Sequence, residues 1–314
     1  MAQATQEYGD WPLKRLMTEV VGSGHKSAAD MDRDQAREAM QRILDGEPDH
    51  TTLGAFWLAN RWKRNTPEEL AGFVDVMREE SVETATPAAD PVDCGANYDG
   101  KGRSAILGVA AGVVAAAAGT PVVVHSGDRV PTQKQDAYKH VLDELGVRTD
   151  LNTMETLANP ANADVHLGSF YHLAFAVRMV DTLRACESQS VERALFFQGM
   201  EGYDDIRPGT TVVAEWSAGD EDVSDFEIET GEYGMDFESE DLGVDDVADE
   251  SAAITEAVVR GERDDQFADA VALNAALRMY AREDVDTLDE GLERARTTIE
   301  NGDAAATLEA LQAF

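Results

Sequence analysis

An α/β fold is what this 314-residue chain predicts: a small helical bundle followed by a larger, mainly parallel sheet flanked by helices. Three observations predict it. The first eighty residues carry helix start and stop signals and no strand-like run. From Val92 onward, short β-branched runs alternate with helical stretches. Two of those runs end in glycine and polar residues, D-C-G-A-N-Y-D-G-K-G-R-S from Asp93 to Ser104 and P-V-V-V-H-S-G-D from Pro121 to Asp128. A glycine-rich turn between a short strand and a helix is how an α/β protein commonly builds a phosphate cradle.

The helical part comes first. Leu13, Leu16, Met17, Val20 and Val21 share one face of a helix that Gly22 and Gly24 end. Asp32 is placed to cap a second helix with Ala36, Met40, Ile43 and Leu44 inward and Gly46 as its stop. A third follows Asp49, with Leu53, Phe56, Trp57 and Leu58. The fourth has the clearest start: Thr66 as cap, Pro67 at the first helical position and Glu69 completing a capping box, followed by Leu70, Phe73, Val74 and Met77. The expected organisation is a helical domain over 1–80, a linker over 81–91 broken by Thr86-Pro87, and an α/β domain over 92–314, with part of 160–186 packing with the helices.

In the second domain the candidate strands are Val92 to Cys94, Pro121 to His125, Ala163 to Leu167, Arg193 to Gln198 and Thr210 to Glu215. Helices are expected between them at Ala105 to Ala118, Gln135 to Leu145 and Leu173 to Cys186. Ser217 to Glu250 contains no Lys or Arg, but the alternation from Asp225 to Thr230 reads as an edge strand with one wet face. Three tail helices follow, Ala252 to Arg260, Asp265 to Tyr280 and Leu288 to Asn301, the last stopped by Gly302.

Composition sets bounds on partners. The chain is 43% apolar, enough for a sizeable core, and carries 62 acidic against 26 basic residues, a formal net charge of -36. Acidity spread over a whole chain keeps a protein hydrated, as in a cytosol held at very high salt, so a halophilic source is expected, with an acidic surface for a basic partner as the alternative. Such a surface repels a polyanion, which excludes most nucleic-acid binding, since phosphate contacts need clustered Lys and Arg. Cys94 and Cys186 are too few and too distant for a disulfide framework or a zinc site. The start lacks the basic-then-apolar pattern of a secretory leader, and Gly119-Thr120-Pro121 splits the apolar stretch Ala105 to Val124 below the roughly 20 residues a membrane span needs, so a cytoplasmic location is expected.

The order and texture of both ends resemble the anthranilate phosphoribosyltransferase family, the family 3 glycosyltransferases with their uncharacterised paralogues. The resemblance rests on Ile43-Leu-Asp-Gly-Glu and Leu53-Gly-Ala-Phe-Trp-Leu-Ala near the start. Towards the end it rests on Asp269-Ala-Val-Ala-Leu-Asn-Ala, Leu288-Asp-Glu-Gly-Leu-Glu-Arg-Ala and Ile299-Glu-Asn-Gly-Asp-Ala. It implies transfer of phosphoribose from phosphoribosyl diphosphate to an aromatic amine or base, with magnesium, at a cleft between the two domains, and a homodimer formed through the helical domain. The alternatives are a non-catalytic paralogue that binds nucleotide or nucleic acid, and a nucleoside phosphorylase-like enzyme.

The family's motifs carry over unevenly. Its pyrophosphate loop G-T-G-G-D-G falls on Gly95 to Gly100, keeping Gly95, Asp99 and Gly100. Its N-I-S-T falls on Ile106-Leu107-Gly108-Val109, losing the polar groups. K-H-G-N falls on Val124-His125-Ser126-Gly127, keeping the histidine. The serine-rich phosphate loop becomes Val130 to Gln135, with two extra residues, and the metal-binding G-L-D-E-I becomes Gly202-Tyr203-Asp204-Asp205-Ile206, chemically intact. A helical segment bearing an arginine that faces anthranilate is missing between Thr149 and Asn159.

Phosphoribosyl transfer needs its leaving oxygens neutralised more than it needs a proton donor, so backbone amides, a helix N-terminus, cations and carboxylate-held magnesium are the expected apparatus. Gly95, Asn97, Asp99, Gly100, Lys101, Arg103 and Ser104 in the first loop, and His125, Ser126, Gly127, Thr132 and Lys134 in the second, are the candidate phosphate and substrate groups. Asp204 and Asp205 are the candidate magnesium ligands, oxygen donors suiting magnesium over zinc. No side chain stands out as a general base. Phe170, Tyr171 and Phe175 are expected mainly to pack.

Overall fold

The computed structural model describes residues 12–13, 16–17, 29–96, 100–128, 135–149, 156–170 and 172–314. Two compact units make up the chain: Met1–Thr84 with Arg178–Ser190, and Ala85–Val177 with Val191–Phe314.

Helices dominate the first unit, and their starts are fixed by side-chain caps. Helix α1 (Arg33–Leu44) begins with a capping box between Asp32 and Gln35, and α2 (His50–Lys63) begins on Asp49, which accepts from the amides of Thr51 and Thr52. In α3 (Pro67–Ser81) Thr66, Pro67 and Glu69 act as the sequence predicts. Glu69 also accepts from Met31 N–H at 2.8 Å and pairs with Lys63, so one carboxylate ties three segments together. Leu13, Leu16, Met31, Ala36, Met40, Phe56, Phe73 and Val76 form the core. Val20 and Val21 lie outside the described residues.

One expectation for this unit is corrected. Of the apolar run in α2 only Phe56 is buried, while Leu58 and Trp62 are 64% and 77% exposed and Leu44 in α1 is 40% exposed. A single stripe of α2, Phe56 and Asn60, faces inward.

The second unit is a six-stranded sheet in the order β2-β1-β3-β4-β5-β6. Its strands are β1 (Val92–Gly95), β2 (Val122–His125), β3 (Val165–Phe170), β4 (Arg193–Gln198), β5 (Thr210–Ser217) and β6 (Ser224–Glu229). The first four run parallel, and β5 and β6 are antiparallel additions, with β6 at the edge as the alternation of Asp225 to Thr230 predicts. Parallel strands need crossovers. These are α4 (Gly108–Ala117), α5 (Tyr138–Glu144) and α6 (Leu173–Ala185), the last of which passes into the helical unit at Arg178.

The tail forms α7 (Val247–Val259), α8 (Gln266–Ala281), α9 (Leu288–Glu300) and a helix the sequence reading did not anticipate, α10 (Asp303–Ala313). Helices α4 and α8 are buried on nearly all faces, which fits their near-absence of charge. The charged residues of α8 are Asp269 and Arg278, and the guanidinium of Arg278 has no exposed surface. No helix among the described residues is long and apolar enough to cross a membrane.

Candidate active site

The carboxyl ends of β1, β2 and β4 converge on the glycine turn, where open α/β sheets place their ligands. At Gly95 the chain has no room for a side chain, because a Cβ there would lie 1.9 Å from the carbonyl oxygen of Thr156. Gly100 adopts φ +70°, where a Cβ would lie 2.5 Å from the Asp136 carbonyl oxygen, and the turn is closed by paired bonds, Lys101 N–H to Asp136 O at 2.8 Å and Asp136 N–H to Lys101 O at 3.1 Å.

From this turn Lys101 points inward. Its side chain is fully buried, and Nζ donates to the carbonyl of Ala105 at 2.8 Å and to Asp205 Oδ2 at 2.5 Å. The same Asp205 oxygen accepts from Leu107 N–H at 3.1 Å, directly ahead of α4. That is where a helix N-terminus favours negative charge, so the chain's own carboxylate holds the anion position there.

Gly108, the first residue of α4, has a structural partner. A Cβ at Gly108 would lie 2.2 Å from the Tyr138 hydroxyl, so the ring of Tyr138 fills the space a side chain would need. That hydroxyl donates to Asp204 Oδ2 at 3.1 Å, and Tyr138 N–H donates to the Tyr203 hydroxyl at 3.0 Å with the two rings edge to face. From α8, Asn274 Oδ1 accepts from Ile206 N–H at 3.0 Å, and Arg278 Nη1 donates to Asn274 O one turn further on.

The charges in this buried layer shape one another. Burial pushes the Asp204 carboxyl up to about 6, helped by Asp205 and opposed by Ser169, Arg278 and Tyr138. Burial first, and Asp204 next, hold both tyrosine hydroxyls well above their ordinary value. Cys94, in the same core, is pushed by burial to about 12, so its thiol stays protonated and is no nucleophile.

A shallower layer faces a cavity of about 550 Å³ lined by Arg103, Ser104, Gln198, Glu201, Arg207 and Ser239 among others. Glu201 sits at φ 56°, unusual for a residue with a side chain. Its carboxylate accepts from Ser104 Oγ at 2.5 Å and from Gly102 N–H at 3.3 Å and lies 3.6 Å from Arg103 Nε. Burial opposes its ionisation, but Ser104, Gly102, Lys101 and Arg103 together outweigh burial and lower its pKa. The Arg103 side chain is 86% exposed.

The second predicted loop behaves differently. His125 is buried with Nε2 3.1 Å from Asp93, whose other oxygen lies 2.8 Å from His166 Nδ1. Burial works against the Asp93 charge, yet the imidazoles, His125 first, hold its carboxyl well below the usual range. Ser126 Oγ accepts from Lys139 N–H at 3.2 Å, and Gly127 is buried. His125 and Ser126 touch a separate, largely apolar cavity of about 330 Å³ between α4, β2 and α5. Asn97, Asp99, Thr132 and Lys134 lie outside the described residues, as does Tyr171.

Gly95, Gly100, Arg103 and Ser104 thus gather at one end of the sheet with Asp204 and Asp205. Lys101 joins them, but as a buried partner of Asp205; neither a phosphate-facing nor a solvated lysine is found. Sequence reasoning missed Glu201 and Arg278, and it gave Tyr203 no role beyond its place in the motif from Gly202 to Ile206. For Arg278 a signal existed, the one cation of α8, set among Ala275, Ala276, Leu277 and Met279, which burial allows only with partners. For Glu201, one acid among 62, there was none.

Whether Asp204 and Asp205 fit a resident magnesium ion turns on their surroundings. Asp205 is already paired with Lys101 and the Arg278 charge lies near enough to lower the Asp204 pKa, so although Asp204 Oδ1 and Asp205 Oδ1 are buried without hydrogen-bond partners, a divalent ion added there would bring uncompensated positive charge into a dry interior. Magnesium also requires about six oxygens, and no group of three or more His, Cys, Asp or Glu side chains among the described residues is placed to hold a metal. As folded, the pair does not fit a resident divalent ion.

With the fold and site in place, the chain can be set beside known proteins. Residues 130–305 match the profile of the glycosyl transferase family a/b domain, and residues 20–81 that of the family's helical bundle domain. The class is therefore a two-domain glycosyl transferase. The anthranilate phosphoribosyltransferase of Thermomicrobium roseum is 30% identical over 90% of this chain and 92% of its own, and that of Alkalilimnicola ehrlichii 28% over 94% and 96%. The chain belongs to the anthranilate phosphoribosyltransferase family. In solved structures its fold resembles the enzyme of Thermus thermophilus, with a TM-score of 0.77 at 23% identity over 96% of this chain and 98% of that one. It also resembles that of Saccharomyces cerevisiae in complex with phosphoribosyl diphosphate and magnesium, with a TM-score of 0.74 at 16% identity over 95% and 96%.

Proposed function

We propose that this chain binds phosphoribosyl diphosphate in the cavity beside the glycine turn and transfers phosphoribose to an aromatic amine or base. The observation that carries the reading is the pair Arg103 and Arg207 on that cavity, in a chain of net charge -36. Two arginines facing open space beside a glycine turn and the ends of parallel strands suit an ester of diphosphate. Magnesium, in this reading, arrives as the counter-ion of the donor's diphosphate. Backbone amides and arginines then neutralise the leaving oxygens.

A second reading has its own support: a non-catalytic paralogue that binds a nucleotide. The Asp205 carboxylate sits at the N-terminus of α4 and that of Glu201 against the glycine turn, both anion positions, and Ile106, Leu107 and Gly108 lack the family's polar groups. The acidic surface argues against nucleic acid as the ligand.

Calorimetric titration with phosphoribosyl diphosphate, in concentrated potassium chloride with magnesium, tests both readings, followed by pyrophosphate release with anthranilate. Binding with release supports transfer; binding without release for any aromatic amine or base tried supports the nucleotide-binding reading; no binding at millimolar donor defeats the first.

The same proposal extends to assembly and place. The exposed Leu58 and Trp62 of α2 give the helical unit an apolar face suited to a second copy in a salt-rich cytoplasm. Replacing both by Ser is expected to leave a monomer by sedimentation; an unchanged sedimentation coefficient would rule that face out.

A further inference from the structure

We propose that Lys101 is a built-in replacement for a divalent cation: its ammonium occupies, permanently and from within the chain, the place of the metal partner of Asp205. The inference rests on the transferase reading of the site. The observations are the burial and the charge balance. Lys101 and Asp205 are both without exposed surface, and Nζ meets Oδ2 at 2.5 Å while also donating to Ala105 O. The Leu107 amide is the second donor to Oδ2, while Oδ1 of the same carboxylate is buried without a hydrogen-bond partner. The desolvation of a lysine so placed is offset by one carboxylate and one carbonyl at hydrogen-bonding distance.

The arrangement has a consequence for the donor. A resident magnesium ion links protein carboxylates to substrate phosphates, and an ammonium sealed at zero exposure cannot reach a substrate. Asp204 and Asp205 therefore act as scaffold. They fix the loop that carries Glu201 against the glycine turn, and recognition of the diphosphate passes to the groups that face the cavity, Arg103 and Arg207. The ligand class remains an ester of diphosphate, but the protein contributes no carboxylate to its metal.

Manganese, which reports its own binding by paramagnetic resonance, tests the assignment directly. The full chain in concentrated potassium chloride is titrated as wild type, Asp205→Asn, Lys101→Met and the double variant, with circular dichroism to confirm folding. Wild type and Asp205→Asn are expected to show the same free-manganese curve, with no stoichiometric site. Lys101→Met is expected to gain one site per chain that the double variant lacks. A stoichiometric site in wild type that Asp205→Asn removes would overturn the proposal, as would a folded Lys101→Met that gains none. If Lys101→Met does not fold, the wild-type and Asp205→Asn curves decide alone, coincidence supporting the proposal and divergence overturning it. No donor is present in this experiment, so failure of phosphoribosyl diphosphate to bind would sink the transferase reading and leave the manganese result standing.

Discussion

Glu201 and Asp205 lie on one short loop, and both are gripped by groups that the glycine turn and its neighbours present to anions, yet they live in different physics. Asp205 is sealed with a buried ammonium. Glu201 meets a hydroxyl, one amide and an arginine whose side chain is 86% exposed, at the edge of an open cavity. A buried pair is hard to break because each partner strands the other, whereas an exposed contact is screened and exchangeable. The inner carboxylate therefore belongs to the scaffold and the outer one to whatever competes for the turn.

The largest expected effect comes from breaking the inner pair on one side. Lys101→Met leaves Asp205 charged and dry, at a cost of about 3–5 kcal/mol of unfolding free energy, and adding Asp205→Asn should restore most of it. Chemical denaturation of the single and double variants measures this. A loss below about 1 kcal/mol in the single variant would mean that the pair is hydrated in solution and the contrast with Glu201 is false.

Next is Asp204, where the sign follows from the direction of its shift. Its folded pKa, about 6, lies above the ordinary 3.8, so the stabilising contribution is present below the unfolded value and is lost as pH rises through 6. Asp204→Asn, which cannot ionise, should therefore be more stable than wild type at about pH 8, by on the order of 2–3 kcal/mol, the advantage fading towards pH 4. Melting curves across that range test it. A difference that does not vary with pH would show that Asp204 does not carry the burial cost assigned to it.

Why the two layers were not equally legible in the sequence follows from where their signals sit. Period and caps are local, so the strands, α3 with its Thr66-Pro67-Glu69 start, and even the β6 edge strand in the acidic stretch could be read directly. The helix α10 was missed because its small, acidic composition, D-A-A-A-T-L-E-A-L-Q-A, presents a narrow apolar stripe, Ala304 and Leu308 alone being buried. Outward faces misled as well: Trp57 and Leu58 look like core until their helix shows only one inner stripe. At the turn, Gly95 and Gly100 were legible, standing where backbone geometry demands glycine, which the sequence pattern alone could show. The destination of Lys101 was not, since its partner lies 104 positions away and nothing local distinguishes a lysine that turns inward from one that faces a ligand. Gly108 teaches the reverse. The family resemblance implies a polar residue in its place, and the structure shows the ring of Tyr138 filling the space a side chain there would need.

The smallest effect on stability, and the most informative about ligands, is expected at the outer carboxylate. Glu201→Gln keeps an acceptor for Ser104 but removes the charge that competes for the turn. Unfolding free energy should change by less than about 1 kcal/mol, since the contact with Arg103 is exposed and screened. Inorganic pyrophosphate, titrated calorimetrically, should bind the variant about 3- to 10-fold more tightly than wild type, because one repulsive charge beside the site has gone. The pKa of Glu201 is lowered, so it stays ionised through about pH 5 to 8 and its own titration should not alter wild-type pyrophosphate affinity across that range. Weaker binding by Glu201→Gln would reverse the assignment: the carboxylate would then be ordering the turn for the ligand, and the distinction between an inner scaffold and an outer competitor would fail at its outer half.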